Sequence, residues 1–338
     1  MKIAFFEVFN EIYNVEKEML EKYFPNDEVV CLEEKLSMEN VSSIGDAEVV
    51  SVFTVSLINK EIIDLLPNLK FINVSATGFD NIDTEYSKTR GIKISNVPAY
   101  GSNTVAEFTF ALLLNLSRRI SQANNQLRRD DDFNAKAFHG FDLRGKTLGV
   151  IGTGKIGRNV IKIAKGFEMN VIAYDNFIDR EFEAQMKFSY KSLEEVISKS
   201  DIITIHVPYS KENHHLINRE NISKMKKGVY IINTARGGLI DTDALIWGLK
   251  EGIIAGEGLD VLEGERQLKE ELEILSGSLN NTLEEYRTLL EDHVLIDMQN
   301  IIVTPHIAFY SKEAVDNIIK TTVDNIKGFI AGSPINLV

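Results

Sequence analysis

Short runs of β-branched and apolar residues alternate along this chain with longer stretches whose apolar positions recur at helical spacing. The pattern predicts strands over Lys2 to Phe6, Glu48 to Phe53, Lys70 to Val74, Lys93 to Val97, Thr147 to Ile151, Asn170 to Tyr174, Asp201 to Val207, Val229 to Asn233, Gly252 to Leu259 and Asn300 to Thr304. Amphipathic stretches such as Asn159 to Gly166 and Asp241 to Lys250 lie between them. Strand, helix, strand repeated in this way predicts an α/β protein with parallel sheets covered by helices on both faces. Ile202, Ile203, Ile205 and Val207 leave their run no solvent face, as a strand covered on both sides requires.

Thr104 and Glu107 have the spacing of a capping box. Val105, Phe108, Leu112, Leu113, Leu116 and Ile120 then repeat at helical spacing, which predicts one long helix running to about Arg129. Such a helix suits a domain bridge, a subunit contact or a core position. The turn residues Pro98-Ala99-Tyr100-Gly101 mark a domain boundary just before it. From Glu263 to Asp292 nine acidic residues face three basic ones. Leu268, Leu272, Leu275, Leu279, Leu283, Tyr286 and Leu290 keep helical spacing around Gly277, so this segment is expected to be a solvated helical hairpin at the surface.

At 338 residues the chain is long for one core and suits two domains. A net charge of −13 argues against nucleic acid or an anionic membrane surface as a partner, since both are gripped by clustered cations. No apolar run approaches the roughly 18 residues that a spanning helix needs. The start Met-Lys-Ile-Ala-Phe-Phe, with Glu7 and Glu11 behind it, is too short and acidic for a signal peptide. Cys31 is the sole cysteine, which excludes an intrachain disulfide and a multi-thiolate zinc site; no metal is expected, and a reducing, cytoplasmic location is.

Gly152-Thr-Gly154-Lys-Ile-Gly157 follows an apolar strand and opens a helical pattern. The first glycine allows a tight turn, the second lets backbone approach a pyrophosphate, and the third lets helix and strand pack closely. Asp175 ends the next strand eighteen residues after Gly157, near the spacing of about 20 at which a carboxylate accepts both ribose hydroxyls. No cation follows it directly, so the expected cofactor is NAD, not NADP. Arg236 stands just past another strand end, where a guanidinium can hold a carboxylate through two parallel hydrogen bonds. Asp260, Glu263 and Glu265 follow the next strand, and His306 follows the last. A histidine with a carboxylate partner keeps its proton to higher pH, as an acid/base catalyst near neutrality needs.

These segments together resemble the D-isomer-specific 2-hydroxyacid dehydrogenases over essentially the whole length, and within them the D-lactate dehydrogenase branch. The resemblance rests on Gly78-Phe-Asp-Asn-Ile-Asp83, Val97-Pro-Ala-Tyr100, the glycine loop with Asp175, His206-Val-Pro208, Thr234 to Asp241, Leu259 to Glu265 and Thr304-Pro-His306-Ile-Ala-Phe-Tyr310. It implies two Rossmann-like, doubly wound parallel-sheet domains with a cleft between them. Residues 1–99 and 310–338 would form a discontinuous, flavodoxin-like substrate domain, and 100–309 an NAD-binding domain with the acidic insertion at about 266–292. The late strand from Ile301 to Thr304 is expected to return toward the N-terminal part.

By the same resemblance the catalytic Arg, Glu and His fall on Arg236, Glu265 and His306. Cofactor contacts fall on Gly152, Gly154, Lys155, Ile156, Gly157, Asp175, Val207, Pro208, Asn213, Thr234, Ala235, Arg236 and Asp260. Backbone N–H groups around Thr77 and Gly78 would help Arg236 hold the substrate, and Phe53 and Tyr100 are candidate walls for its side chain. The implied activity interconverts a 2-keto acid and a D-2-hydroxy acid with NAD, in a homodimer. The alternatives are a glyoxylate/hydroxypyruvate-type reductase and an NAD-sensing corepressor on the same fold. Arg266 stands where many relatives have proline, and the interval from Glu265 to His306 is long; if that interval has displaced the register, Glu263 takes the place of Glu265.

Overall fold

The computed structural model describes residues 1–338 apart from 8, 9, 131, 132, 270, 272, 273 and 275–281, and describes no side chains for 10–16 and 130. Leu272, Leu275, Gly277 and Leu279 of the expected hairpin lie outside the described residues. The chain divides into two compact units, Met1–Gly101 with Tyr310–Val338, and Ser102–Phe309.

The first unit is built on strands β1 (Lys2–Phe5), β2 (Glu28–Cys31), β3 (Val49–Val52), β4 (Phe71–Val74) and β5 (Lys93–Ser95). They pair in parallel in the order β2-β1-β3-β4-β5, the doubly wound order of flavodoxin-like sheets. Ile3, Phe5, Val49 and Phe71 meet Leu20 and Phe24 from helix Asn10–Tyr23 and its end, and Val323 and Ile326 from helix Lys312–Ile330. Phe71 and Phe329 stack at 4.5 Å. The chain end is tied in beside β5, where Val338 N–H donates to Ile94 O at 3.1 Å.

Buried amides join the early and late parts of this unit. Asn325, fully buried, donates to Asn73 Oδ1 at 2.8 Å and to Asn96 O at 2.9 Å, and accepts from Asn336 Nδ2 at 2.8 Å. Three partners of one side chain lose their bonds together if it is removed.

The second unit carries β6 (Thr147–Ile151), β7 (Asn170–Tyr174), β8 (Ser189–Tyr190), β9 (Ile202–Ile205), β10 (Val229–Asn233), β11 (Ile254–Leu259) and β12 (Ile301–Val303). All pair in parallel, in the order β12-β11-β10-β9-β6-β7-β8. The chain winds outward from β6 through β7 to β8, then crosses to β9 and winds the other way. The C-terminal ends of β6 and β9 therefore form a switch point, the place where open parallel sheets bind ligands.

Four expectations need correction. The helix beginning at Ser102 ends at Arg118, and a second helix runs from Ile120 to Asp130, because Arg119 between them takes φ +52°. Thr104 lies inside the first turn, so it forms no N-cap; true capping boxes occur at Ser192/Glu195 and Thr282/Glu285. β12 pairs with β11 in the larger sheet, and only the chain beyond Phe309 belongs to the first unit. The second half of the acidic segment is solvated on one side only: Leu283, Tyr286 and Leu290 are exposed as a surface helix requires, but helix Leu283–Asp297 buries Leu289, Asp292 and Leu295 on its other side.

Asn325→Leu is expected to lower unfolding stability by about 3 kcal/mol, since each buried polar group left without a partner costs roughly 1–3 kcal/mol. Chemical denaturation measures this, and a midpoint equal to that of the parent protein contradicts it.

Candidate active site

Parallel register brings five strand ends level. Ile151 pairs with Ile205, Ile205 with Asn233, Asn233 with Leu259, and Leu259 with Val303. The next residues in each strand-end loop are Gly152, His206, Thr234, Asp260 and Thr304. The site is the row of loops they begin.

The glycine loop is shaped by close backbone approach. Gly152 has φ +96°, and a Cβ there would lie 2.7 Å from the His206 carbonyl carbon. A Cβ on Gly157 would lie 2.0 Å from Gly152 O, so the helix Lys155–Gly166 packs directly on the strand that precedes it. At Gly154 nothing lies within 4 Å of that position. Gly154 is the N-cap of that helix and offers its first turn no side-chain acceptor, so the amides and the partial positive charge there point into open space. Lys155 is exposed and Ile156 half-buried.

Asp175 is locked to the same loop. Its Oδ2 accepts from Thr153 N at 2.6 Å and Thr153 Oγ1 at 2.9 Å, and its Oδ1 from Phe177 N at 2.8 Å. The nearby cations are engaged elsewhere: Arg158 Nη2 donates to Asp179 at 2.7 Å, and Arg180 to Glu183 at 2.6 Å. Thr153 is a residue that reading the glycine spacing alone passes over.

After β9, Val207 and Pro208 lead into a loop closed by Asn213, whose Nδ2 donates to Pro208 O at 2.7 Å while its Oδ1 accepts from Ser210 N at 2.7 Å. His206 meets Thr204 Oγ1 through Nε2 at 2.9 Å, its Nδ1 is buried without a partner, and burial lowers its pKa to about 3. Burial thus favours its neutral form.

After β10, buried Thr234 pairs with Thr109 Oγ1 at 3.1 Å, and Ala235 N donates to Asn233 Oδ1 at 3.0 Å. The half-buried Arg236 has its carbonyl held by Asn233 Nδ2 at 2.9 Å, and its Nη1 donates to Ala235 O at 2.8 Å. A Cβ on Gly237 would lie 2.0 Å from Leu262 O, so the arginine turn packs against the backbone that leads to Glu265.

Asp260 holds the turn that presents His306. Its Oδ1 accepts from Thr304 Oγ1 at 2.6 Å and Ile307 N at 2.9 Å, its Oδ2 from Ala308 N at 2.8 Å, and its carbonyl from His306 N at 2.9 Å. Burial raises the carboxyl's pKa, and these three donors offset part of the rise. Within that turn His306 adopts φ +56°. Its Nδ1 lies 2.8 and 3.0 Å from the two Glu265 oxygens. Burial raises the Glu265 carboxyl, but the hydrogen bond and charge of His306, with Lys269 Nζ at 2.6 Å, outweigh it and hold the pKa down at about 2. Lys269 stands four residues after Glu265, a spacing already visible in the sequence.

The structure brings Glu265, not Glu263, to His306. Glu263 instead accepts from His215 Nε2 at 2.6 Å and Thr242 Oγ1 at 2.8 Å, anchoring the start of helix Thr242–Lys250. Thr77, Gly78, Phe53 and Tyr100 all belong to the first unit. Thr77 Oγ1 donates to Val97 O at 2.9 Å, Phe53 is buried past the end of β3, and Tyr100 is half-buried.

Residues 110–308 match the model of the D-isomer-specific 2-hydroxyacid dehydrogenase NAD-binding domain. The chain belongs to this family. A 2-hydroxyacid dehydrogenase homologue of Zymomonas mobilis is 37% identical over 339 residues, spanning 98% of each chain. An aromatic 2-oxoacid reductase of Clostridium sporogenes is 41% identical over 277 residues, covering 80% of this chain and 79% of its own. The crystal structure of D-lactate dehydrogenase from Aquifex aeolicus, complexed with NAD and lactic acid, superposes with a TM-score of 0.89 at 35% identity, over 99% of this chain and 98% of that one. The protein is thus an NAD-dependent D-2-hydroxyacid dehydrogenase.

The residues of this dehydrogenase fit the dinucleotide. Open space at Gly154 before an uncapped helix start matches a pyrophosphate, and Asp175, held rigidly by Thr153, matches the ribose hydroxyls. With Arg158 and Arg180 both engaged by acids, a 2′-phosphate would meet a carboxylate instead of a cation. NADH is expected to outperform NADPH by about tenfold or more in kcat/KM, roughly 1.4 kcal/mol. Steady-state rates with the two cofactors check this, and equal values overturn it.

Proposed function

We propose that the enzyme reduces a 2-keto acid to the D-2-hydroxy acid and catalyses the reverse reaction, with Arg236, Glu265 and His306 as its catalytic residues. The observation that carries this reading is His306 Nδ1 within 2.8 and 3.0 Å of both Glu265 oxygens at the end of the strand row. NADH, when bound, supplies a hydride to the substrate C2. His306 Nε2 gives its proton to the carbonyl oxygen as that oxygen gains negative charge, so one hydride and one proton complete the alcohol. Glu265 orients the ring through Nδ1 and, being ionised, favours the imidazolium. Arg236 grips the substrate carboxylate with its two-pronged guanidinium.

The glycine loop, Asp175, Val207, Pro208, Asn213, Thr234, Ala235 and Asp260 are assigned to holding the cofactor. The D-lactate dehydrogenase from Aquifex aeolicus supports a small aliphatic keto acid such as pyruvate. The reductases named for aromatic 2-oxoacids and for glyoxylate support a wider panel. A homodimer is supported by apolar side chains left exposed on helix Ile120–Asp130, with Ile120 at 56% and Leu127 at 40%.

NADH consumption with a panel of 2-keto acids tests the activity, and no turnover with any of them sinks it. His306→Ala should lose about 10²-fold or more at every pH. Reduction needs a protonated acid, so kcat/KM falls as pH rises. Glu265→Gln removes the charge that favours that proton and should move the fall to lower pH; an unmoved profile would show the two groups to be uncoupled. Light scattering should give about twice the 38.1 kDa chain mass, and a monomer at micromolar concentration contradicts the dimer.

A further inference from the structure

Helix Leu283–Asp297 sends one carboxyl into the turn that carries Glu265. Asp292 has no exposed surface. Its Oδ2 accepts from Gly264 N at 2.8 Å, between Glu263 and Glu265. Its Oδ1 is buried with no partner among the described residues. The fit leaves no slack: a Cβ on Gly264 would lie 2.6 Å from Asp292 Oδ2 and 3.3 Å from Thr288 Cγ2. We propose that Asp292 is a positioning residue of this dehydrogenase, clamping the Glu263-Gly264-Glu265 turn so that Glu265 meets His306, and setting through its own charge the pH range over which that pair works. This rests on the catalytic assignment above.

The charges facing Asp292 are those of Glu263 and Glu265 on the turn and Glu291 on its own helix. Of the cationic and titratable groups on the surrounding elements, Lys269 pairs with Glu265, Arg287 with Glu291 and Asp243, and His293 with Glu271, while the charge of Arg266 acts on Glu285. Burial first, then these three carboxylates, raise the Asp292 carboxyl to about 7, against the hydrogen bond from Gly264. Below that pH the group is neutral and the clamp is a hydrogen bond alone. Above it, a second negative charge stands behind Glu265 and favours the protonated histidine.

The test compares Asp292→Asn, Asp292→Leu and His306→Ala in the full-length enzyme, recording kcat/KM against pH for NADH-driven 2-keto acid reduction. The amide keeps an acceptor for Gly264 N but never ionises. It should move the alkaline fall of kcat/KM to lower pH by roughly half a unit, a readout that a purely structural role leaves still. Asp292→Leu loses the acceptor as well, and kcat/KM should drop about tenfold or more across the profile as the glutamate shifts. Should the leucine variant not fold, the asparagine profile decides alone. A parental profile in Asp292→Asn beside an inactive His306→Ala overturns the clamp while leaving the catalytic assignment standing. A fully active His306→Ala overturns both.

Discussion

Parallel pairing forces every strand of the larger sheet to point the same way, so each must be followed by a loop at the same edge. Register then decides how level that edge is. Ile151, Ile205, Asn233, Leu259 and Val303 pair in sequence across five strands. The glycine loop, the arginine turn, the glutamate turn and the histidine turn therefore share one rim although they are far apart in the chain. No single loop builds the site. A one-residue slip in any of these pairings would flip that strand's side chains and carry its loop out of the row.

Around that rim the enzyme handles buried carboxylates in different ways. Asp260 is satisfied by three donors and spends its charge on the shape of the histidine turn. Glu265 shares its charge between a histidine and a lysine and stays ionised. Glu257, in the middle of β11, is fully buried with neither oxygen partnered among the described residues, and burial pushes it well above the usual carboxylate range. An acid so placed is held neutral. Position relative to donors, more than depth, separates these outcomes.

Much of this was legible in the residues, and the gaps have physical causes. Thr147–Ile151, Asn170–Tyr174 and Val229–Asn233 lie inside their sheet, where nearly continuous apolar runs announce a strand. β2 and β8 are edge strands, short and partly exposed; β8 is only two residues long, and the brief Val29-Val30-Cys31-Leu32 run of β2 stands between acidic residues. The break at Arg119 has neither glycine nor proline to mark it. The glycine loop and Asp175 carry their own spacing signal. The pairing of Glu265 with His306 spans a long acidic interval, so only resemblance could choose it over Glu263; the choice becomes geometric once β11 and β12 lie side by side. Asp292 has no local signature, since its partner is a backbone N–H on a distant turn.

The first unit takes its opening strands from the start of the chain and its closing helix, Lys312–Ile330, from the end. During synthesis this order has a cost in time. The five strands leave the ribosome early, yet Val323, Ile326 and Asn325, which cover and cross-link that sheet, arrive only after the whole second unit has been made. The second unit is one continuous stretch, whereas the older sheet has only Leu20 and Phe24 over Phe71 and its neighbours until the late helix is added. The apolar face of β1, β3 and β4 thus gains the cover of Val323 and Ile326 only after the residues of the second unit have been joined to the chain.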